Sequence, residues 1–245
     1  MIIDLIRRFS RQIIAVWRQH VGINLLPLLT TVRLSGLILA AIALWGFAEI
    51  AEHVVRDQTQ AFDISVLQGV ERLKAPWLTP IMIVITDIGA PSVLVLASVL
   101  VSIRSLMRRQ KSEAMTLAIA GLGALALNTL LKNSFERARP ELWARIVSVS
   151  LSSFPSGHAM LSIVVYGFFA YLLAVHFPKK RNWIIALATL LIVLIGFSRL
   201  YFGVHWLTDV IAGYAAGLVW LISCIISLEI WRHRHDLKRT KRRDD

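Results

Sequence analysis

The sequence predicts an all-α integral membrane protein, a bundle of six transmembrane helices with an amphipathic helix ahead of it. Three observations indicate this class. The chain is 56% hydrophobic, with a mean hydropathy of +0.64. Its apolar residues gather in runs near 18 residues, and at about 1.5 Å per residue such a helix crosses the hydrocarbon core of a bilayer. Lys and Arg collect between and beyond these runs, as they do in membrane proteins.

The N-terminal segment, residues 1–33, predicts a helix that lies on the membrane surface. Its apolar residues recur at helical spacing, at Ile2, Ile6, Phe9, Ile13 and Trp17. Arginines stand between them, and a basic amphipathic helix of this kind binds the interface of an anionic membrane. We therefore expect a cytoplasmic or interfacial segment ahead of the membrane domain.

The membrane domain is predicted over residues 34–231, with the motifs described below inside it. Its six spans are predicted at 34–51, 81–103, 114–131, 159–177, 183–202 and 206–230. Asp87, Gly89 and Pro91 interrupt the second span. That interruption has two interpretations, a packing feature or helix break on one hand and the lining of a substrate groove on the other.

A further short helix is predicted in the segment between the first two spans, residues 52–80. Its apolar residues are spaced as on one face of a helix, at Ile64, Leu67, Val70 and Leu73. We expect this helix to lie over the mouth of the bundle.

The distribution of basic residues predicts the orientation of the chain. Nineteen of the 27 Lys and Arg fall on the side that holds both termini, and the positive-inside rule places that side in the cytoplasm. The tail, residues 232–245, is predicted as a solvated and partly disordered basic flank, with binding to anionic lipid headgroups as its functional interpretation. The net charge of +12 therefore indicates a membrane surface, and not nucleic acid, as the partner.

Three clusters of ionisable or polar residues lie at span ends on the opposite, extracytoplasmic side. In chain order they are Lys132 with Arg139, then Ser156 with Gly157 and His158, and finally Arg199 with His205 and Asp209. Such groups at membrane depth are rare and usually functional. Scattered core residues would not all sort to one face of the membrane.

His205 and Asp209 are four residues apart, so on a helix they share a face and can touch. A carboxylate on one ring nitrogen selects the tautomer and leaves the other nitrogen free to attack an electrophile. The same spacing also suits a buried ion-paired cluster at a helix end. The stretch from Ser198 to Asp209 alone leaves both interpretations open.

The neighbouring residues suit a phosphoryl group. Lys132, Arg139 and Arg199 supply positive charge. Ser156 and Gly157 open a helix whose backbone N–H groups and dipole favour the same anion. In such a site one histidine attacks phosphorus and the other protonates the departing oxygen. We expect no metal and no cofactor, since both histidines are then occupied and no carboxylate cluster is at hand for Mg²⁺.

These clusters resemble the three motifs of the type-2 phosphatidic acid phosphatase superfamily. The chain contains Lys-x6-Arg-Pro at 132–140, Pro-Ser-Gly-His at 155–158 and Ser-Arg-x5-His-x3-Asp at 198–209. The resemblance implies that His205 is the nucleophile, Asp209 its partner and His158 the general acid. It implies further that the remaining five residues hold phosphate: Lys132, Arg139, Ser156, Gly157 and Arg199.

The resemblance also implies a lipid phosphate phosphatase with a substrate such as undecaprenyl diphosphate, phosphatidylglycerophosphate or phosphatidic acid. The alternative is a lipid phosphotransferase, in which a second lipid takes the phosphoryl group. A transporter or inactive scaffold would be expected to lose reactive residues, and all are present here. Asn128 and Glu136, one turn either side of Lys132, are either side chains that support the phosphate-binding residues or plain polar residues of a helix face, and the second interpretation is favoured.

Overall fold

The computed structural model describes residues 31–143 and 152–244, with the side chains of 34–143 and 152–232. Over these residues the chain is helical and contains no strand, in agreement with the predicted class. The helices are α1 (Thr31–Val55), α2 (Gln60–Glu71), α3 (Leu78–Ile88), α4 (Pro91–Met107), α5 (Lys111–Phe135), α6 (Gly157–His176), α7 (Arg181–Tyr201) and α8 (Leu207–Asp244). A 3₁₀ turn at Pro178–Lys180 precedes α7. The predicted surface helix lies ahead of the described residues and stays a prediction.

Six spans account for the apolar helices among the described residues. Five of them, α1, α5, α6, α7 and α8, are long and apolar enough to cross a membrane, and α3 with α4 form a sixth that is bent by 49°. The six-span prediction is therefore confirmed in outline. The chain is a multi-pass membrane protein, which explains the many exposed apolar side chains along these helices, such as Trp45 and Leu187.

The second span is not the single helix predicted over 81–103. It consists of α3 and α4, separated at Gly89 and Ala90. Pro91 occupies the first turn of α4, where its missing N–H breaks no helical hydrogen bond. The helix break is confirmed, and the lining of a substrate groove stays a prediction.

α8 is the central helix of the bundle and packs against α1, α5 and α6. Two glycines let it approach α6 closely. A Cβ at Gly213 would lie 2.7 Å from the carbonyl oxygen of Ser156, and one at Gly217 would lie 2.6 Å from that of Met160. Any side chain there would push the two helices apart. The start of α6 and the start of α8 are thereby held in contact, which matters because both carry candidate reactive residues.

The short helix predicted between the first two spans is confirmed as α2. Leu67 and Val70 are buried in a cluster with residues of the connection after α7, among them Phe202 and Val204. Leu73 lies beyond the end of α2 and is exposed. α2 therefore covers the end of the bundle at which α5 and α7 finish and α6 and α8 begin, which we call the site end.

The last span also differs from its predicted limits. α8 continues past residue 230 to Asp244, so the backbone of the basic tail is helical, and the prediction of a partly disordered flank is wrong there. At this opposite end of the bundle Arg232 forms an ion pair with the buried Glu113 of α5. A buried carboxylate needs such a partner, and this pair ties the end of the last span to the start of α5.

Candidate active site

The structure brings the three predicted clusters together at the site end. Lys132 is in the last turn of α5 and Arg199 in the last turn of α7, while Asp209 is in the first turn of α8. His158 is in the first turn of α6. Its ring is within electrostatic range of His205 and of all three candidate cations. Residues up to 77 positions apart in the chain therefore share one site.

The connection between α7 and α8 carries His205 and is shaped by a glycine. Gly203 has a φ of +63°, in the left-handed region that disfavours residues with a side chain. A Cβ there would also lie 2.5 Å from Nε1 of Trp143. The next amide, of Val204, donates back to the carbonyl of Arg199 at 3.1 Å. This tight turn brings His205 back to the end of α7, beside Arg199.

The contacts of the His205 ring identify its tautomer. Nδ1 lies 3.4 Å from Oδ2 of Asp209, and Nε2 lies 3.2 Å from Nη1 of Arg139. A guanidinium has only donors, so the nitrogen that faces it must be an acceptor. The ring proton is then on Nδ1, facing the carboxylate, and Nε2 carries the lone pair. The backbone N–H of Trp206 donates to the same Oδ2 at 2.9 Å.

The surroundings of His205 keep its ring neutral. Burial and the positive charges of Arg139, Arg199 and Lys132 lower the pKa of the His205 imidazole well below its usual range. Since a lowered pKa favours the neutral ring down to lower pH, the lone pair on Nε2 is present at neutral pH. A neutral imidazole with a free nitrogen next to a cation can attack an anionic electrophile.

The candidate cations contact backbone and side-chain oxygens at the site. Lys132 donates to the carbonyl of Ser152. Nη1 of Arg139 donates to the carbonyl of Val204 at 2.7 Å, and Nη1 of Arg199 donates to Oγ1 of Thr86. Thr86 belongs to α3, and its neighbour Asp87 is exposed and within electrostatic range of Arg199. The broken second span therefore contributes to the site through its first half.

Two buried polar atoms at the site have no hydrogen-bond partner among the described residues. They are Oγ of Ser156, which is fully buried, and Nε of Arg199, whose residue is 3% exposed. A buried polar group left unpaired costs about 1–3 kcal/mol. An anion bound between these two residues would accept from both. This observation points to an anion site where the sequence predicted one.

The helix start at α6 differs in one respect from the prediction. The N–H of Ser156 donates to the backbone carbonyl of Asp209 at 3.0 Å, so that amide does not face a phosphate. The first helical bond of α6 is from Met160 to Ser156. The amides of Gly157, His158 and Ala159 therefore have no partner within the helix, and they replace the Ser156 amide as candidate anion donors.

Asn128 and Glu136 prove to be different from each other. Asn128 is buried, and its Nδ2 donates to the carbonyl of Pro155 at 3.3 Å. The interpretation as a plain helix-face residue is wrong for Asn128, because it ties α5 to the segment that opens α6. Glu136 is exposed and follows α5 with a φ of 45°, which agrees with a surface residue.

Sequence reasoning missed two charged residues at the site. Arg137 donates to Oδ1 of Asp209 at 2.6 Å and to Oδ2 of Asp63 at 2.8 Å. Arg137 lies between Lys132 and Arg139 in the first motif, and its place there was a signal. Asp63 is four residues before Leu67, on the buried face of α2, and a carboxylate on an otherwise apolar helix face was the second signal.

Comparisons with known proteins agree with this geometry. Residues 113–232 match the model of the PAP2 superfamily. The chain is 33% identical over 176 residues to phosphatidylglycerophosphatase B of Bacillus subtilis (strain 168), a match that covers 71% of this chain and 86% of that protein. The chain belongs to the PAP2 superfamily.

Two further similarities extend this result. This PAP2 chain is 28% identical over 178 residues to an undecaprenyl-diphosphatase of Sulfolobus acidocaldarius, over 71% of this chain and 81% of that protein. The crystal structure of the transmembrane PAP2-type phosphatidylglycerolphosphate phosphatase from Bacillus subtilis is similar with a TM-score of 0.72 and 31% identity, covering 78% of this chain and 96% of the other. The likeness therefore includes helices ahead of residue 113 as well as the motifs.

Proposed function

We propose that this protein is a lipid phosphate phosphatase that hydrolyses a lipid phosphomonoester or diphosphate through a phosphohistidine, at the extracytoplasmic surface. The observation that carries the proposal is the site around His205. Its neutral Nε2 lies 3.2 Å from Nη1 of Arg139, at the same site as two buried atoms, Oγ of Ser156 and Nε of Arg199, that lack hydrogen-bond partners among the described residues. Nucleophile and anion site are thus next to each other.

The first step transfers the phosphoryl group to the enzyme. Nε2 of His205 attacks phosphorus and forms a P–N bond, while the bond from phosphorus to the leaving oxygen breaks. The negative charge of the bound phosphoryl group offsets the three cations, so that His158 carries a proton in the complex and gives it to that oxygen. Asp209 holds the proton on Nδ1 and stabilises the positive charge that the ring acquires. Lys132, Arg139 and Arg199 are placed to stabilise the negative charge spread over the other phosphoryl oxygens.

The second step releases phosphate. His158 is neutral after the first step and can take a proton from water, which attacks phosphorus as the P–N bond to His205 breaks. A lipid monoester thereby yields a lipid alcohol and inorganic phosphate, and a lipid diphosphate yields a lipid monophosphate and inorganic phosphate. If the hydroxyl of a second lipid reaches the phosphohistidine in place of water, the same residues make a phosphotransferase.

The place of the site and the names of the relatives support the proposed substrate class. The reactive residues lie at the ends of membrane-spanning helices, the depth at which lipid headgroups lie. Two of the relatives are named for phosphatidylglycerophosphate and undecaprenyl diphosphate. A glycerolipid phosphate or a polyprenyl diphosphate is therefore the proposed substrate.

The activity is tested on purified protein in detergent, offered phosphatidylglycerophosphate, phosphatidic acid and undecaprenyl diphosphate. Release of inorganic phosphate from at least one of them, without an added acceptor lipid and in the presence of a chelator, is the expected result. Phosphate transfer that occurs only when an acceptor lipid is added would establish the phosphotransferase instead. Activity lost in chelator and restored by Mg²⁺ would contradict the mechanism.

The orientation is tested with single cysteines in a Cys224→Ser background. Gln58 lies between α1 and α2 at the site end, and Arg108 lies between α4 and α5 at the other end; both are exposed. Since 19 of the 27 basic residues fall on the side of Arg108, we expect Gln58→Cys to react with a membrane-impermeant thiol reagent in intact cells. Arg108→Cys should react only after lysis.

The reverse labelling pattern would place the site in the cytoplasm and overturn the proposed orientation.

The basic tail, residues 232–245, belongs to the same side as Arg108. We propose that it contacts anionic lipid headgroups of the inner leaflet, where each basic residue near the surface contributes about 1 kcal/mol.

A further inference from the structure

Arg137 lies between two buried carboxylates at the site end. Its side chain is 14% exposed, whereas those of Asp63 and Asp209 are fully buried. Its hydrogen bonds join four residues: Nη1 donates to Asp209 Oδ1 (2.6 Å) and Thr208 Oγ1 (2.8 Å), and Nη2 donates to Asp63 Oδ2 (2.8 Å) and Thr59 Oγ1 (2.9 Å). A guanidinium in this position is fixed by both ends of its fork.

Asp63 is the far end of this chain of contacts and belongs to α2. It accepts from the backbone N–H of Thr208 at 3.0 Å and from the hydroxyl of Thr208 at 2.6 Å. The first of these bonds satisfies an N-terminal amide of α8, and a carboxylate there also suits the helix dipole. Burial of the Asp63 charge is costly unless it is paired, and Arg137 is its partner.

The contacts of Asp209 connect this pair to the nucleophile. Arg137 holds Oδ1, so that Oδ2 is directed to the His205 ring and to the N–H of Trp206. Without Arg137, the carboxylate would keep as donors, apart from the His205 ring, only the N–H of Trp206 and the side chain of Ser153, and Oδ1 would no longer be fixed. Without Asp63, Arg137 would lose the anion that holds its other nitrogen.

We propose that Arg137 and Asp63 are positioning residues for phosphohistidine formation, because they hold Asp209 in the orientation that directs the lone pair of His205 at phosphorus. The proposal rests on the roles of His205 and Asp209 given above. It also makes α2, which lies outside the residues matched by the family model, part of the machinery that prepares the nucleophile.

Asp63→Asn is the first test, because it removes the charge and keeps the shape. We expect kcat to fall about 10- to 100-fold, the cost of a small misplacement of a catalytic group, with KM within about 3-fold since Asp63 does not touch the anion site. The matched control is Asp57→Asn, the same change at an exposed residue of the same end, which should leave both constants as they are. A KM increase with unchanged kcat would overturn the proposal.

Arg137→Gln tests the pair, with Arg72→Gln at an exposed position as its control. The effects of Asp63→Asn and Arg137→Gln should not add, because both act through Asp209. In an Asp209→Asn background, Asp63→Asn should slow phosphoenzyme formation by no more than about 2-fold. If Asp63→Asn slows phosphoenzyme formation as much in the Asp209→Asn background as in the native enzyme, Asp63 does not act through Asp209. The proposal would then be wrong.

Folding is measured in parallel by the melting temperature of each variant in detergent. Should Asp63→Asn fail to fold, Thr208→Val provides a milder variant. It removes the hydroxyl between Arg137 and Asp63 and keeps the backbone N–H that Asp63 accepts, and a kcat loss of several-fold without a KM change is expected. An unchanged kcat in a folded Thr208→Val or Asp63→Asn enzyme contradicts the proposal. If His205→Ala retains full activity, by contrast, the proposed function itself is wrong.

Discussion

His205→Ala is expected to abolish phosphoenzyme formation with every substrate, a loss of at least about 10⁴-fold, because removal of a nucleophile leaves only what binding contributes. Nε2 of His205 carries a lone pair and lies 3.2 Å from Nη1 of Arg139. The measurement is a single-turnover reaction with a ³²P-labelled lipid phosphate, quenched in base, which preserves phosphohistidine.

The control for this variant is His176→Ala, at an exposed histidine that closes α6 at the opposite end of the bundle. It should form the phosphoenzyme at the native rate. Labelled enzyme from His205→Ala would contradict the assignment of the nucleophile. Recovery of the label on His158 would show that the roles of the two histidines are exchanged.

The spans and the position of the motifs were predictable because hydropathy and charge are local properties. A run of apolar residues is recognised from its own composition, and charge counting placed all three motifs at one end of the bundle before any contact was known. The break at Gly89 and Pro91 was also visible in the sequence. The angle between α3 and α4 was not, since it depends on what each half packs against.

The contacts of the site could not be predicted, because they join distant parts of the chain. The rule that helix N-termini bind anions assigned the Ser156 amide to phosphate. That amide in fact donates to the carbonyl of Asp209, a residue of another helix, and the backbone approach of α6 and α8 at Gly213 makes this bond possible. The prediction failed where tertiary packing had already used the donor.

The contacts of Asp63 could not be predicted from the sequence either. Its partners Arg137 and Thr208 are 74 and 145 positions away in the chain, so no local pattern could connect them. The sequence did indicate that Asp63 has a cationic partner, because a carboxylate on the buried face of α2 must be paired. Arg137 was available in the first motif, but Lys132 and Arg139 matched the recognised spacing on either side of it.

His158→Ala has the second large effect, and the effect should depend on the leaving group. His158 is proposed to give a proton to the departing oxygen. The loss of His158 should therefore slow phosphoenzyme formation most for the substrates whose leaving oxygen is most basic. A lipid alcohol is a poor leaving group as an alkoxide, and a monoester should lose about 10²- to 10⁴-fold in the rate of phosphoenzyme formation. A diphosphate expels a phosphate monoester and should lose less.

An aryl phosphate should lose least in the same His158→Ala variant, because a phenolate leaves without a proton. Single-turnover phosphoenzyme formation is measured for the three substrate types, since in steady state the second step also needs His158 to activate water. Lys132→Ala is the comparison, because a residue that only holds phosphate should slow all three substrates by similar factors. Equal losses for all three with His158→Ala would therefore assign His158 to phosphate binding and remove it from proton transfer.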